Sequence, residues 1–153
     1  MVTIDELETR LGRELGVSEW REIRQGDIDS FAEVTGDHQF IHVDEARALA
    51  ETAFGGTIAH GFLTLSLLSA FGLEALPPIA NKRMGVNYGF ERVRFLSPVR
   101  SGARVRGRFS LARLERRRAN EVLLGYDVTV EIEGGAKPAL AALWLTLAVL
   151  NET

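Results

Sequence analysis

Ala59 to Leu76 is the stretch that most limits how this chain can fold. Wound at helical pitch, Leu63, Leu65, Leu67, Leu68, Ala70, Phe71, Leu73 and Leu76 leave almost no polar flank, so the segment predicts a helix buried on every side. Ser66, Ser69 and Ala70 put small side chains on one flank, where a sheet can approach closely. Pro77-Pro78 stops the helix. The greasiest part, Leu63 to Leu76, is too short to span a bilayer and carries Thr64, Ser66, Ser69 and Glu74, so protein has to bury it and no membrane insertion is expected.

The chain that follows supplies the wrapping. Val86, Tyr88 and Phe90 alternate with Asn87 and Gly89, after which the apolar phase moves to Val93 and Phe95; the shift predicts a bulge near Glu91-Arg92. Ala103, Val105, Phe109 and Leu111 alternate with Arg104, Arg106 and Arg108, giving one dry face and one wet face. A turn at Arg116 to Asn120 leads into Val122, Leu124, Tyr126, Val128, Val130 and Ile132. Gly134-Gly135 turns the chain again, and Ala139 to Leu150 is a nearly continuous apolar strand. Connections this short make neighbouring strands antiparallel. One greasy helix followed by long antiparallel strands predicts an α+β hot-dog fold, an antiparallel sheet of about five strands wrapped around a long buried central helix. At 153 residues, without linker or repeat, the chain is expected to form one such domain over 1–153. A curved sheet with a single helix leaves open edges, and a second copy is the natural cover, so a homodimer is expected.

Ahead of the central helix, Thr3 to Leu15 reads as a helix: Thr3 and Glu6 have capping-box spacing, Ile4, Leu7, Leu11 and Leu15 make a narrow stripe, and Gly16 can end it. Residues 1–16 are thus expected to pack as a helix on the body. Ser18 to Gln25 predicts a short strand, on the strength of Trp20 and Ile23. Asp27 can cap a second helix in which Ile28, Phe31, Ala32 and Thr35 share a face, with Gly36 as a left-handed end. Asp44 can cap another helix through Ala50, and Phe54-Gly55-Gly56-Thr57 is a connector. The net charge of −3 argues against a basic nucleic-acid binder, and the lack of cysteine excludes disulfides and thiolate metal sites. Asp5, Glu6 and Glu8, with no apolar run, do not form a secretory signal, and a cytoplasmic protein is expected.

Asp37 and His42 lie five residues apart on what reads as a loop between two short helices, and Ala59-His60-Gly61 opens the central helix. An acid/base pair near the first, unpartnered N–H groups of a helix can move protons beside a carbonyl that becomes an oxyanion. Singly, each residue has an ordinary explanation: Gly-Asp after a helix is a common capping turn, and a lone histidine commonly satisfies a neighbouring helix. Their order and spacing together point to chemistry. His60 is read as fixing the loop ahead of the helix. His38 and His42 stand four apart, but no HExxH pattern or third ligand accompanies them, so no metal site is expected. Neither GxxxxGK[ST] nor GxGxxG occurs.

The run Phe31-Ala32-Glu33-Val34-Thr35-Gly36-Asp37-His38-Gln39-Phe40-Ile41-His42-Val43-Asp44, followed by Ile58-Ala59-His60-Gly61-Phe62-Leu63, resembles the signature of the MaoC-like dehydratases, the R-specific enoyl-CoA hydratases. Its GDHQ-aromatic-IHVD form is similar to the NodN-like branch, also described as 3-hydroxyacyl-thioester dehydratases. The resemblance runs from about Trp20 to the C-terminus and includes Asn87-Tyr88-Gly89 and Val93-Arg94-Phe95. Many members carry Asn-Pro after the aspartate where Gln39-Phe40 stands here, a departure that bears on acyl preference more than on the reaction.

The resemblance implies a hydro-lyase that hydrates trans-2-enoyl-CoA reversibly to (3R)-3-hydroxyacyl-CoA. It implies Asp37 and His42 as the pair, the Gly61 N–H as oxyanion donor, and Ser69 near the pocket, with Gln39, Asn87 and Tyr88 as further substrate contacts. The substrate would be a thioester of coenzyme A or of acyl carrier protein, and no cofactor is implied beyond the coenzyme A it brings. Chemistry supports the same assignment: hydration needs a base for water, a proton for the alpha carbon and a stabiliser for the enolate oxygen. Lys82, Arg83, Arg92, Arg94 and the Arg104–Arg106–Arg108 face are candidates for the coenzyme A phosphates. Two other readings share the fold: an acyl-CoA thioesterase, for which Glu74 is the nearest carboxylate but stands too close to the helix end, and a non-catalytic acyl-thioester binding subunit.

Overall fold

The computed structural model describes residues 1–151. The chain enters through α1 (Ile4–Glu8) and the short strands β1 (Glu14–Val17) and β2 (Arg21–Glu22). Three helices follow, α2 (Gln25–Thr35), α3 (Phe40–Val43) and α4 (Glu45–Glu51), and then the central pair α5 (Gly61–Ser66) and α6 (Leu68–Ala75). The rest is strand: β3 (Lys82–Phe95), β4 (Arg104–Arg118), β5 (Glu121–Ile132) and β6 (Leu140–Leu150). The sheet is antiparallel, in the order β1-β4-β5-β6-β3, with β2 also paired to β4.

The expected α+β architecture is the one observed, five strands along the main path and a sixth short one beside it. The phase shift in β3 is a register break between Phe90 and Arg92, where the sequence predicts it. The dry face of β4 buries Val105, Phe109 and Leu111. They meet Leu68 and Phe71 of α6 in a core that also holds Tyr126, Val128 and Trp144. A Cβ on Gly107 would sit 2.9 Å from the Phe71 Cβ, so the glycine is what lets helix and sheet close. The wet face is tied by ion pairs, Glu131 bridging Arg106 at 2.6 Å and Arg108 at 2.9 Å. Burial pushes the Glu131 carboxyl up, and the two guanidiniums outweigh it and hold it below the usual range.

The N-terminal segment and the central helix depart from the sequence-based expectation. The helix over Thr3 to Leu15 ends at Glu8. Gly12 takes a left-handed φ of 77° and donates its N–H to the Leu111 carbonyl at 2.7 Å, and Glu14–Val17 pairs with β4. Covering the open edge of β4 satisfies more backbone groups than a narrow apolar stripe can gain as a helix. Gly16, expected as a helix stop, lies in β1, where a Cβ would clash at 2.1 Å with the Ala75 carbonyl oxygen.

The central helix is also not one rod buried all round. It breaks at Leu67, and only one side is covered. Thr64, Leu67, Leu68, Phe71 and Gly72 face inward, while Phe62, Ser66, Ser69 and Leu73 form an outward stripe, Leu73 at 86% exposure. Beside it β3 is a sheet edge that exposes Met84, Val86, Tyr88, Phe90 and Phe95. Among the described residues no helix is long and apolar enough to cross a membrane.

Candidate active site

Asp37 is delivered by the end of α2. Gly36 closes that helix at φ 77° with its N–H on the Ala32 carbonyl, and the chain then turns at Asp37, whose Oδ1 accepts the Gln39 N–H at 3.3 Å. His42 lies on α3, a single turn of helix rather than the loop the sequence predicts. Asp44 ends that turn and starts the next, its Oδ1 accepting the Arg47 N–H at 3.0 Å.

The two side chains sit in different surroundings. Asp37 is exposed, whereas His42 is 6% exposed. The His42 Nδ1 donates to the Ile58 carbonyl oxygen at 2.7 Å; a carbonyl only accepts, so the proton is on Nδ1 and Nε2 carries a lone pair. Its own carbonyl accepts from Gln25 Nε2 at 2.7 Å. Burial is the main cause pulling the imidazole below its ordinary 6.5; the Ile58 bond and the Asp37 charge oppose it, and His60 adds to the lowering. His42 is therefore neutral near pH 7.

His60, 2% exposed, ties this turn to the start of α5: its Nε2 donates to the Asp37 carbonyl at 2.9 Å and its ring stacks on His42 at 3.8 Å. Its Nδ1 has no partner among the described residues. One donor atom from each of Asp37, His42 and His60 lies within 4.8 Å of the others. As a metal cage the set fits poorly, because the imidazole planes are 24° apart and stacked, so their in-plane lone pairs do not converge on one ion.

Gly61 is the first residue of α5, where an N–H has no intrahelical acceptor. A side chain there would strike Phe95, at 2.8 Å from Cδ1. His42, Gly61, Ile58, Thr64, Phe62 and Phe95 line a cavity of ≈ 370 Å³. Because α5 spans only six residues, the donor at Gly61 rests on its own free N–H more than on a long helix dipole.

The other sequence-predicted contacts go elsewhere. Ser69 and Asn87 line a second cavity of ≈ 400 Å³ between α6 and the sheet, with Leu73, Tyr126, Trp144 and Thr146. Burial pushes the Tyr126 hydroxyl up to about 12, and its bond to Thr146 offsets only part of that. Tyr88 is exposed on β3 and accepts from Arg117 at 2.7 Å. Gln39 is exposed beside Asp37. Arg92, Arg104, Arg106 and Arg108 are ion-paired, whereas Lys82, Arg83 and Arg94 have no carboxylate partner among the described residues. Sequence reasoning missed Ile58 and Gln25, the two groups that hold His42. A backbone acceptor has no side-chain signature, and Gln25 is seventeen positions away.

Residues 6–132 match the family model of the MaoC like domain. This chain belongs to the MaoC-like domain family. Nodulation protein N of Rhizobium meliloti (strain 1021) is 52% identical over 98% of the MaoC-like chain and 93% of its own length. The 3-hydroxyacyl-thioester dehydratase Z of Mycobacterium tuberculosis (strain ATCC 25618 / H37Rv) is 42% identical over 92% of this chain and 91% of its own. An R-hydratase of Pseudomonas aeruginosa, solved unliganded, superposes with a TM-score of 0.72 at 27% identity, covering 97% of this chain and 86% of that one. The fold is the hot-dog fold, and the chemistry of the family is hydration and dehydration.

Proposed function

We propose that this chain is a hydro-lyase that reversibly hydrates trans-2-enoyl-CoA to (3R)-3-hydroxyacyl-CoA. The observation that carries the reading is a neutral His42 that keeps Nε2 free, has a ring nitrogen within 4.8 Å of an Asp37 carboxylate oxygen, and shares the lining of one cavity with Gly61. Two acceptors at that separation can share one water. That water leaves its hydroxyl on C3, and its proton, relayed by the pair, goes to C2 on the same face. The C2=C3 π bond is consumed and the pair returns to its starting state; the two groups act as one coupled unit. As hydroxide adds, negative charge collects on the thioester oxygen, where the Gly61 N–H offers a donor. Phe62, Phe95 and Ile58 make the cavity apolar, which suits an acyl group and keeps bulk water from the enolate. No residue role in this scheme calls for a metal or a redox group; coenzyme A enters with the substrate, as acyl carrier protein could in its place.

A second copy of the chain completes the molecule in this reading. The outward stripe of α5 and α6 and the open edge of β3 are exposed and apolar, and a second copy would cover them. A cytoplasmic setting fits a coenzyme A thioester. The thioesterase reading loses its carboxylate, because Glu74 accepts the Glu19 N–H at 3.3 Å and lines neither cavity.

Incubation with crotonyl-CoA tests the proposal. Loss of the enoyl absorbance without free thiol, and a 3R product, are expected. Release of thiol would establish a thioesterase, and binding with no loss of absorbance would establish a non-catalytic subunit.

A further inference from the structure

Thr57 is 2% exposed, sits four residues ahead of Gly61, and has no part in the scheme above. Its hydroxyl lies 2.6 Å from Gln25 Oε1 and 2.9 Å from Glu45 Oε2, and its N–H donates to the same Glu45 oxygen at 2.8 Å. The Gln25 Nε2 protons are both used, on Asp29 Oδ1 at 2.9 Å and on the His42 carbonyl at 2.7 Å. Its Oε1 is therefore left to accept, and the Thr57 hydroxyl is the donor that meets it. The Thr57 carbonyl accepts from the Ser101 N–H at 2.9 Å, and the next residue, Ile58, donates to the Ile41 carbonyl at 3.0 Å while accepting from His42 Nδ1. A Cβ on Gly56 would stand 2.8 Å from Glu45 Oε1, so the glycine lets the carboxylate reach this backbone.

The two groups that hold His42 thus meet in one residue. Gln25 grips the histidine's main chain and is anchored by the Thr57 hydroxyl; Ile58 grips its ring and is attached to Thr57 by the peptide bond. We infer that Thr57, with Gln25 and Glu45, is a positioning network that keeps His42 in the Nδ1–H tautomer with Nε2 bare and aimed for water activation. The inference rests on the hydratase reading for its kinetic consequence alone; the tautomer stands apart from it. Loosening such a group misplaces a reacting atom without altering the walls that bind the substrate, so turnover suffers and affinity does not.

The test uses the full chain carrying Thr57→Val, Thr57→Ser or Gln25→Glu, with thermal melting to confirm folding. With crotonyl-CoA as probe, Thr57→Val is expected to lower kcat by roughly 10–100-fold with KM within about twofold, and Thr57→Ser to restore most of it. Gln25→Glu keeps the shape but cannot donate to the His42 carbonyl, and is expected to reproduce the loss. The chain has three histidines, so 15N signals of labelled protein can be assigned. The wild type should show His42 protonated at Nδ1, and Thr57→Val should show its two nitrogens averaging. A folded Thr57→Val or Gln25→Glu that keeps both the wild-type kcat and the single tautomer overturns the inference. If the wild type hydrates nothing, the hydratase reading falls, and the tautomer comparison still decides the positioning role.

Discussion

Asp37 and His42 stand five positions apart and are supported in opposite ways. His42 is buried, with its ring held by Ile58 and its carbonyl by Gln25, and burial keeps it neutral. Asp37 is exposed and hangs from a glycine-ended helix, its carboxylate steadied by one N–H of its own turn and its carbonyl by His60. The difference shows how one turn can present a solvent-facing acceptor and a buried, fixed one side by side. The imidazole stays neutral because it is dry, while the carboxylate beside it stands in water. In the proposed mechanism that asymmetry lets one water be gripped from both sides, with the buried imidazole fixed in place and the carboxylate reaching it from solvent.

The comparison breaks most visibly if the two groups act separately. Asp37→Asn and His42→Asn should each lower kcat by roughly 10²–10⁴-fold in a crotonyl-CoA assay, and the double variant should be little worse than the worse single one. Multiplicative losses would mean that they do not share a water. Gly61→Ala comes next: its methyl would press on Phe95 and fill the approach to the N–H, and kcat/KM should drop about 100-fold while His42 keeps its tautomer.

The acid limb of the pH–rate profile sharpens the comparison further. The proposed mechanism uses the base form of His42, so activity should fall as pH drops through a midpoint below 6.5. Asp37 raises the imidazole's affinity for protons, so in Asp37→Asn the NMR titration of His42 should move lower still. The smallest effect concerns stability. The unfolded chain binds a proton at this histidine more readily than the folded one. Stability is therefore present above 6.5 and lost as pH falls below it, and His42→Asn should flatten the decline of the urea midpoint between about pH 7 and 5.

The strands were legible because their signal is periodic and local: the phase slip at Glu91-Arg92 marks a register break, and the arginines of β4 mark its wet face. So was the Gly36–Asp37 turn, since a left-handed helix end calls for that residue type. The N-terminal helix was not, because what ends it at Glu8 is the open edge of β4, a partner about a hundred residues away. The apolar segment from Ala59 to Leu76 announced burial correctly on its inner side only; apolarity does not say whether the cover for Phe62 and Leu73 comes from the same chain. At the site, Asp37, His42 and Gly61 all fall in the two runs that carry the resemblance, and His42 shares a cavity with Gly61 and a cluster with Asp37. Ser69 and Asn87 were grouped with them by resemblance and line a separate cavity. The supports of His42 are a main-chain oxygen and a glutamine from another helix, and neither leaves a mark in the order of residues.

Hydration of crotonyl-CoA in D2O, with the relative configuration at C2 and C3 of the product read by NMR, tests the shared water most directly. A single diastereomer with deuterium and hydroxyl added to the same face is the predicted result. Addition to opposite faces, or a mixture of diastereomers, would contradict it.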